Sequence, residues 1–332
     1  MNYIFDILEF IWYYFIVMCN NYNEDVNFMN KVVLVGCGNV GMAYAYALVN
    51  QKVYVDELVL IDINREKCEG EAMDLNHCMA YSPSKINVRV GDYCDCCDTK
   101  IVVLCAGVNQ AVGESRMDLI SRNSEIFKTI VNNVMNSGFD GIFLVATNPL
   151  DIMTYLTLKY SKLPFNRVIG SGTTLDTSRL RYILSEKTSV NPKNIEAYVI
   201  GEHGDSEFVP WSNVNIAYKK ISDFLSDDDL INVEDEVRTS AYDIIQKKGA
   251  TAYGIGMCLV EITNAILENK NVILPVSSWD YENEICISTP AIVGGDGVYE
   301  KIFIPLNSLE VEKLNNSIKI IKDAIANICE KK

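Results

Sequence analysis

At 332 residues the chain can fill one large domain or two of ordinary size around a substantial core. Hydrophobic residues make up 49% and charged residues 22%, the balance of a folded protein rather than a disordered or fibrous one. The net charge of −15 works against nucleic acid and anionic membranes as partners, since both are held by clustered Lys and Arg. A small anionic substrate stays open, because a local pair of arginines can hold one carboxylate whatever the global sign.

Residues 1–28 form an atypical extension. Phe10 to Cys19 is uncharged and apolar but too short to span a bilayer. No Lys or Arg precedes Lys31, so the basic start of a secretory signal is missing. The extension reads as an unusual arm or a start assigned too early, with a membrane anchor the lesser reading. Eleven cysteines are scattered through the chain, many inside apolar runs such as Val102-Val103-Leu104-Cys105. That usage fits reduced, buried thiols in a cytoplasmic protein rather than a disulfide scaffold. Cys94-Asp95-Cys96-Cys97 has no second cysteine pair to complete a metal site, so it reads as a surface turn and no metal is expected.

Lys31 to Val35 is an apolar strand that runs into Gly36-Cys37-Gly38-Asn39-Val40-Gly41 and then a helical stretch, Met42 to Asn50. Leu58 to Ile61 is a second strand ending at Asp62. Glu66 to Met79 is helical, Ile86 to Val90 extended, Ile101 to Cys105 a strand, Asp118 to Asn136 a long helix and Gly141 to Val145 a strand. Short apolar runs alternating with helices predict β-α-β units, hence a Rossmann-type doubly wound parallel sheet with ligands at the carboxyl ends of its strands. Within the glycine motif, Gly36 permits a tight turn, Gly38 lets backbone approach a pyrophosphate, and Gly41 lets helix pack on strand. Asp62 falls where a carboxylate binds ribose hydroxyls and repels a 2′-phosphate, which favours NAD over NADP.

Gly107 to Arg116 is a polar segment at the same sheet edge, and its two glycines suggest a lid that carries Arg116 inward on closure. Thr147-Asn148-Pro149 brings Asn148 to that edge. Leu175 to Glu186 reads as a helix on which Asp176 and Arg179 share one face. Ile195 to Ile200 is extended. Gly201-Glu202-His203-Gly204-Asp205 holds one of only two histidines, a group able to give and take a proton near neutral pH. Ser226-Asp227-Asp228-Asp229 reads as a solvated helix start, and Ser240 to Leu267 as two helices or one bent helix. Val272 to Val276, Ile285 to Ile292 and Tyr299 to Ile304 read as strands of a smaller antiparallel sheet, closed by an amphipathic helix from Asn307 to Cys329.

From about Met29 onward the chain resembles the lactate/malate dehydrogenase family. The resemblance lies in Gly-Cys-Gly-Asn-Val-Gly, Gly-Glu-Ser-Arg, Ala-Thr-Asn-Pro, Leu-Asp-Thr-Ser-Arg and Gly-Glu-His-Gly-Asp, in family order. It implies an NAD-binding Rossmann domain over 29–170, a C-terminal α+β substrate domain over 171–332, and a homotetramer. Its implied reaction is hydride exchange between NADH and pyruvate, giving L-lactate. His203 would be the proton donor and acceptor, Asp176 would hold its ring, and Arg116 would polarise the ketone. Arg179 would grip the substrate carboxylate with two parallel hydrogen bonds. Gln110, Asn148 and Thr251 would line the substrate pocket. Val40, Lys67, Tyr93, Gly107, Val108, Thr129, Ala146, Asn148 and Ser171 would contact NAD, with Gly36, Gly38, Gly41 and Asp62.

Malate enzymes of this family carry arginine where this chain has Gln110, and burying a second substrate carboxylate against an amide would cost several kcal/mol. Pyruvate is therefore expected over oxaloacetate. Malate or another 2-hydroxy acid is the alternative, and a catalytically silent NAD-binding protein a more distant one. Arg181 matches one half of the family's fructose 1,6-bisphosphate site, but Glu196 stands where the histidine would be. A carboxylate there repels phosphate, so weak or absent activation is expected. The second histidine, His77, reads as structural or interfacial.

Overall fold

The computed structural model describes residues 30–108 and 116–330. The amino-terminal extension and residues 109–115, which include Gln110, lie outside the described residues. The first half alternates as β1 (Lys31–Val35), α1 (Asn39–Val49), β2 (Glu57–Ile61), α2 (Arg65–His77), β3 (Asn87–Val90), β4 (Ile101–Leu104), α3 (Arg116–Asn136), β5 (Ile142–Val145), α4 (Leu150–Ser161) and β6 (Val168–Gly170). These six strands lie side by side in the order β6-β5-β4-β1-β2-β3, every neighbouring pair parallel. β1, β2, β4 and β5 are buried along their whole length, because helices cover both faces. The strand order reverses between β1 and β4, and a doubly wound sheet opens its ligand crevice at that point.

Two elements, α4 and β6, are absent from the sequence reading. α4 is apolar nearly all round and buried on most of its surface, so it has no amphipathic period to detect. β6 is only three residues long.

The second half adds α5 (Thr174–Thr188), a small sheet of β7 (Ile195–Glu196), β8 (Asn215–Ile216) and β9 (Lys219–Lys220), then α6 (Asp227–Lys248), α7 (Tyr253–Leu267), β10 (Val272–Asp280), β11 (Ile285–Gly294), β12 (Gly297–Lys301) and α8 (Ser308–Glu330). Ser226 and Asp229 close a capping box at the acidic start of α6. α6 and α7 are separate helices, parted where Gly249 takes a left-handed conformation at φ +87°.

One expectation is corrected here. β10, β11 and β12 are antiparallel to one another but do not form a sheet of their own. β10 pairs with β6 at Ser277 and Gly170, so all nine strands make one continuous sheet. The join depends on Gly170, where a Cβ would press on Thr154 and Ser277. α7 packs closely on α1, with Gly256 against the Ala43 backbone and the buried Tyr44 hydroxyl on Thr263 at 3.0 Å.

Candidate functional site

The glycine loop at the end of β1 is shaped by contacts that exclude side chains. Gly36 sits at φ +102°, and a Cβ there would overlap the backbone of Ala106. At Gly41 a Cβ would overlap the Gly36 carbonyl. Gly38 differs: its backbone is extended and nothing lies within 4 Å of where its Cβ would be. It caps α1 with no side chain, so the first N–H groups of that helix are left for an outside acceptor.

Asp62, at the end of β2, accepts the Cys37 N–H at 2.7 Å and the Asn64 N–H at 2.9 Å. Lys67 donates to the Cys37 carbonyl at 2.9 Å. The loop is thus tied to the next strand and helix while the space above Gly38 stays open. That cradle fits the pyrophosphate of a dinucleotide.

A chain of contacts runs from this loop to the histidine. Ala106, touching Gly36, accepts the Thr147 hydroxyl at 2.7 Å, and a Cβ on Gly107 would meet the Thr147 methyl. Asn123 of α3, fully buried, accepts the Val108 N–H at 2.9 Å and donates to the Asn148 carbonyl at 3.1 Å. Ala146 and Ser171 follow β5 and β6 at the same edge, their N–H groups bonded to Leu104 and Val145. Three residues past Asn148, Asp151 accepts the His203 backbone N–H at 2.8 Å. The second half of the chain therefore docks its histidine loop on the carboxyl edge of the parallel sheet.

In that loop His203 Nδ1 meets Asp176 Oδ2 at 2.7 Å, while Arg179 Nη1 donates to Asp176 Oδ1 at 2.7 Å. The i, i+3 spacing on α5 puts Asp176 and Arg179 on one face, so a single carboxylate orients both groups. Its side chain is 2% exposed, against 23% for His203. Burial alone would raise the Asp176 carboxyl, but the charge and hydrogen bond of His203, with Arg179 beside it, hold it below the usual carboxylate range. Burial opposes charge on His203 too, yet Asp176 outweighs it and lifts the imidazole to about 9.

Two carboxyls escape the sequence reading. Asp151 is 2% exposed; besides His203 it accepts Ser277 at 2.6 Å and Ser288 at 3.3 Å. Burial raises it to about 6, against the hydrogen bonds from Ser277 and His203. Glu207, four residues beyond His203 in the same loop, brings Oε2 to 3.8 Å from His203 Nδ1. The only hint for Asp151 was a carboxylate opening an otherwise apolar helix. Glu207 left only its spacing of four from His203.

Val40 lies in the first turn of α1 and Tyr93 opens the short helical turn after β3. In that turn Cys96 is buried while Cys94 and Cys97 are exposed. Thr251 is half-buried between α6 and α7. Arg116 opens α3, but nothing is described of its side chain. Thr129 is not brought to the other site residues. It is exposed on α3, about 9 Å of helix beyond Asn123, with its hydroxyl on the Glu125 carbonyl. His77 is exposed in the last turn of α2.

Comparison with known proteins agrees with this architecture. Residues 30–170 match the family model described as lactate/malate dehydrogenase, NAD binding domain, and residues 173–332 match the alpha/beta C-terminal domain of the same family. The chain is 52% identical over 308 residues to an L-lactate dehydrogenase of Geobacillus sp. (strain WCH70), covering 90% of this chain and 96% of that protein. With an L-lactate dehydrogenase of Bacillus pumilus (strain SAFR-032) it shares 51% over 314 residues, 92% of this chain and 98% of the relative. Among solved structures, a lactate dehydrogenase from a Medee basin deep-sea metagenome library superposes with TM-score 0.88 at 50% identity, covering 90% and 99% of the two chains. The ligands-bound form of a minor L-lactate dehydrogenase from Enterococcus mundtii gives 0.88 at 44% identity, covering 90% and 98%.

Two substitutions test this geometry. Gly38→Val adds its side chain to open space, so thermal unfolding should match the unmutated protein while the Kd for NADH rises about tenfold or more. A normal Kd in the folded variant would remove Gly38 from the cofactor site. Asp151→Asn sets an amide against three donors and should cost about 2–4 kcal/mol in urea unfolding. An unchanged urea midpoint would mean that Asp151 anchors nothing.

Proposed function

The chain belongs to the lactate/malate dehydrogenase family, and on that premise we propose that it reduces pyruvate to L-lactate with NADH, and runs in reverse. The observation that carries the reading is one buried carboxylate, Asp176, bonded at once to His203 and Arg179 on the carboxyl edge of an NAD-binding sheet. The open cradle at Gly38 fits NAD, which would be held by Gly36, Gly38, Val40 and Gly41 at its phosphates and Asp62 at a ribose. Lys67, Tyr93, Gly107, Val108, Ala146, Asn148 and Ser171 would complete its contacts. Bound NADH supplies the hydride.

His203 does the proton work. With Nδ1 committed to Asp176, Nε2 is left to face the substrate oxygen. An imidazole lifted to about 9 is mostly protonated at neutral pH, the form that donates to the ketone oxygen. Pyruvate reduction therefore declines as pH rises through that range, while lactate oxidation, which needs the neutral ring, gains. Arg179 presents its remaining N–H groups to the substrate carboxylate, its plane fixed by Asp176. Arg116 would stabilise charge developing on the substrate oxygen, and Asn148 and Thr251 would wall the pocket.

We assign the protein to the cytoplasm, where scattered buried thiols stay reduced, and to the fermentative end of glycolysis, where lactate formation regenerates NAD. Homotetramer assembly is part of the same reading. Supporting self-association, Tyr46 of α1 and Tyr253 and Met257 of α7 are each more than half exposed. Among the described residues no helix is long and apolar enough to cross a membrane.

Loss of NADH absorbance with pyruvate and oxaloacetate side by side tests the reaction and its specificity together. Turnover should favour pyruvate, and Gln110→Arg should move the kcat/KM ratio towards oxaloacetate by about a hundredfold or more. Preference for oxaloacetate in the unmutated protein would overturn the assignment.

Arg181 is turned onto the Ala197 carbonyl and the Tyr198 ring, next to the exposed Glu196. Fructose 1,6-bisphosphate should accordingly change the pyruvate KM by less than about twofold. A strong drop in KM would refute this.

A further inference from the structure

Two buried carboxyls flank the histidine, and only one has a partner that explains its charge. Asp176 gives one oxygen to Arg179 and the other to His203. Glu207 is 7% exposed, and His203 Nδ1 donates its hydrogen bond to Asp176, leaving Glu207 Oε2 at 3.8 Å, beyond hydrogen-bond reach. Its carboxyl lies beside that of Asp176 instead, an oxygen of each and the His203 ring nitrogen falling within 4.8 Å of one another. Burial and the Asp176 charge both disfavour a second ionised carboxyl here and outweigh the opposing pull of His203 and Arg179, so the pair is placed to share one proton.

We propose that Glu207 is a positioning residue for proton transfer: a neutral carboxylic acid that donates to Asp176 and so limits the negative charge facing His203.

The groups around it favour this distribution of charge. Asp176 and Arg179 face it from α5 and His203 from its own loop, while Asp151 of α4 lies near His203, Glu202 near Asp151, and the Cys258 thiol near Asp176 from α7. Arg179 is already paired with Asp176, and among the described residues no ion pair from a second arginine or lysine reaches Glu207. Burial, with the Asp176 charge added, pushes the Glu207 carboxyl well above its usual range. A second fixed anion would also oppose an anionic substrate in the same pocket. The donated proton leaves Asp176 enough charge to hold the imidazolium, but less than it would carry alone. A histidine that must release its proton within each turnover needs that moderation.

The inference rests on the dehydrogenase reading, and the test separates the two. The pH midpoint of lactate oxidation by the holoenzyme reports His203. Glu207→Gln keeps an N–H donor towards Asp176, so its midpoint should stay within about 0.3 unit, whatever its turnover. Glu207→Met removes the donor and should raise the midpoint by about half a unit to one unit while pyruvate KM changes less than about threefold. A lower midpoint in Glu207→Gln, as expected on losing a negative charge, would overturn the proposal. So would an unmoved midpoint in Glu207→Met.

Infrared difference spectra of the unmutated protein minus Glu207→Gln at neutral pH give a reading independent of turnover and of the Met variant. Loss of a protonated-carboxyl stretch supports the proposal, and loss of carboxylate bands overturns it. If the unmutated protein turned over no pyruvate, the dehydrogenase reading would fall while the infrared result still decided the state of Glu207.

Discussion

The site depends on one ionised group kept out of water. Taking Asp176 to 2% side-chain exposure incurs a desolvation cost of several kcal/mol, recovered only if its oxygens are well bonded. Arg179 satisfies one oxygen from within the same helix, at fixed i, i+3 spacing. His203 satisfies the other from a loop, and a loop must be held. Three groups hold it: Asp151 on the His203 N–H, the paired backbone bonds between Gly201 and Ser288, and Ser317 of α8 on the Ser206 carbonyl at 2.8 Å. The Asp176 carboxylate keeps its second partner because the loop opposite is pinned from three elements.

That requirement explains why the sheet is continuous. Ser277 pairs with Gly170 where β10 joins β6, and its hydroxyl also reaches Asp151. Ser288, the β11 partner of Ser277, bonds both Gly201 and Asp151. The seam between the parallel and antiparallel halves is therefore also the support of the histidine loop. Had β10 to β12 formed a separate sheet, Asp151 would have lost its hydroxyl partners and His203 its anchor.

What was readable in the sequence is what short spacing can encode. The glycine loop was legible because Gly36 and Gly41 are demanded by backbone contacts within the loop and its neighbouring strand. The Asp176–Arg179 pair was legible because three residues on a helix fix a shared face. The junction of β6 and β10 was not, since it rests on one residue pair more than a hundred positions apart. Asp151 was missed for the same reason, its partners lying 52, 126 and 137 residues away. Glu207 lies two residues beyond the Gly201–Asp205 motif, yet its meaning comes from Asp176, which no local pattern connects to it.

The balance of charge in the pocket reconciles an acidic protein with an anionic substrate. At physiological salt, charges more than about 8 Å apart are largely screened, so most of the −15 acts on diffusion rather than on the bound state. What the substrate meets is local. Arg179 keeps donors beyond the one spent on Asp176, and His203 enters protonated. Against these two cations stands Asp176, which cannot be removed without losing the orientation of both. One further anion at Glu207 would offset part of the positive charge that favours a monocarboxylate. A proton held between the two buried carboxyls keeps the orienting anion without setting a second fixed negative charge beside the substrate.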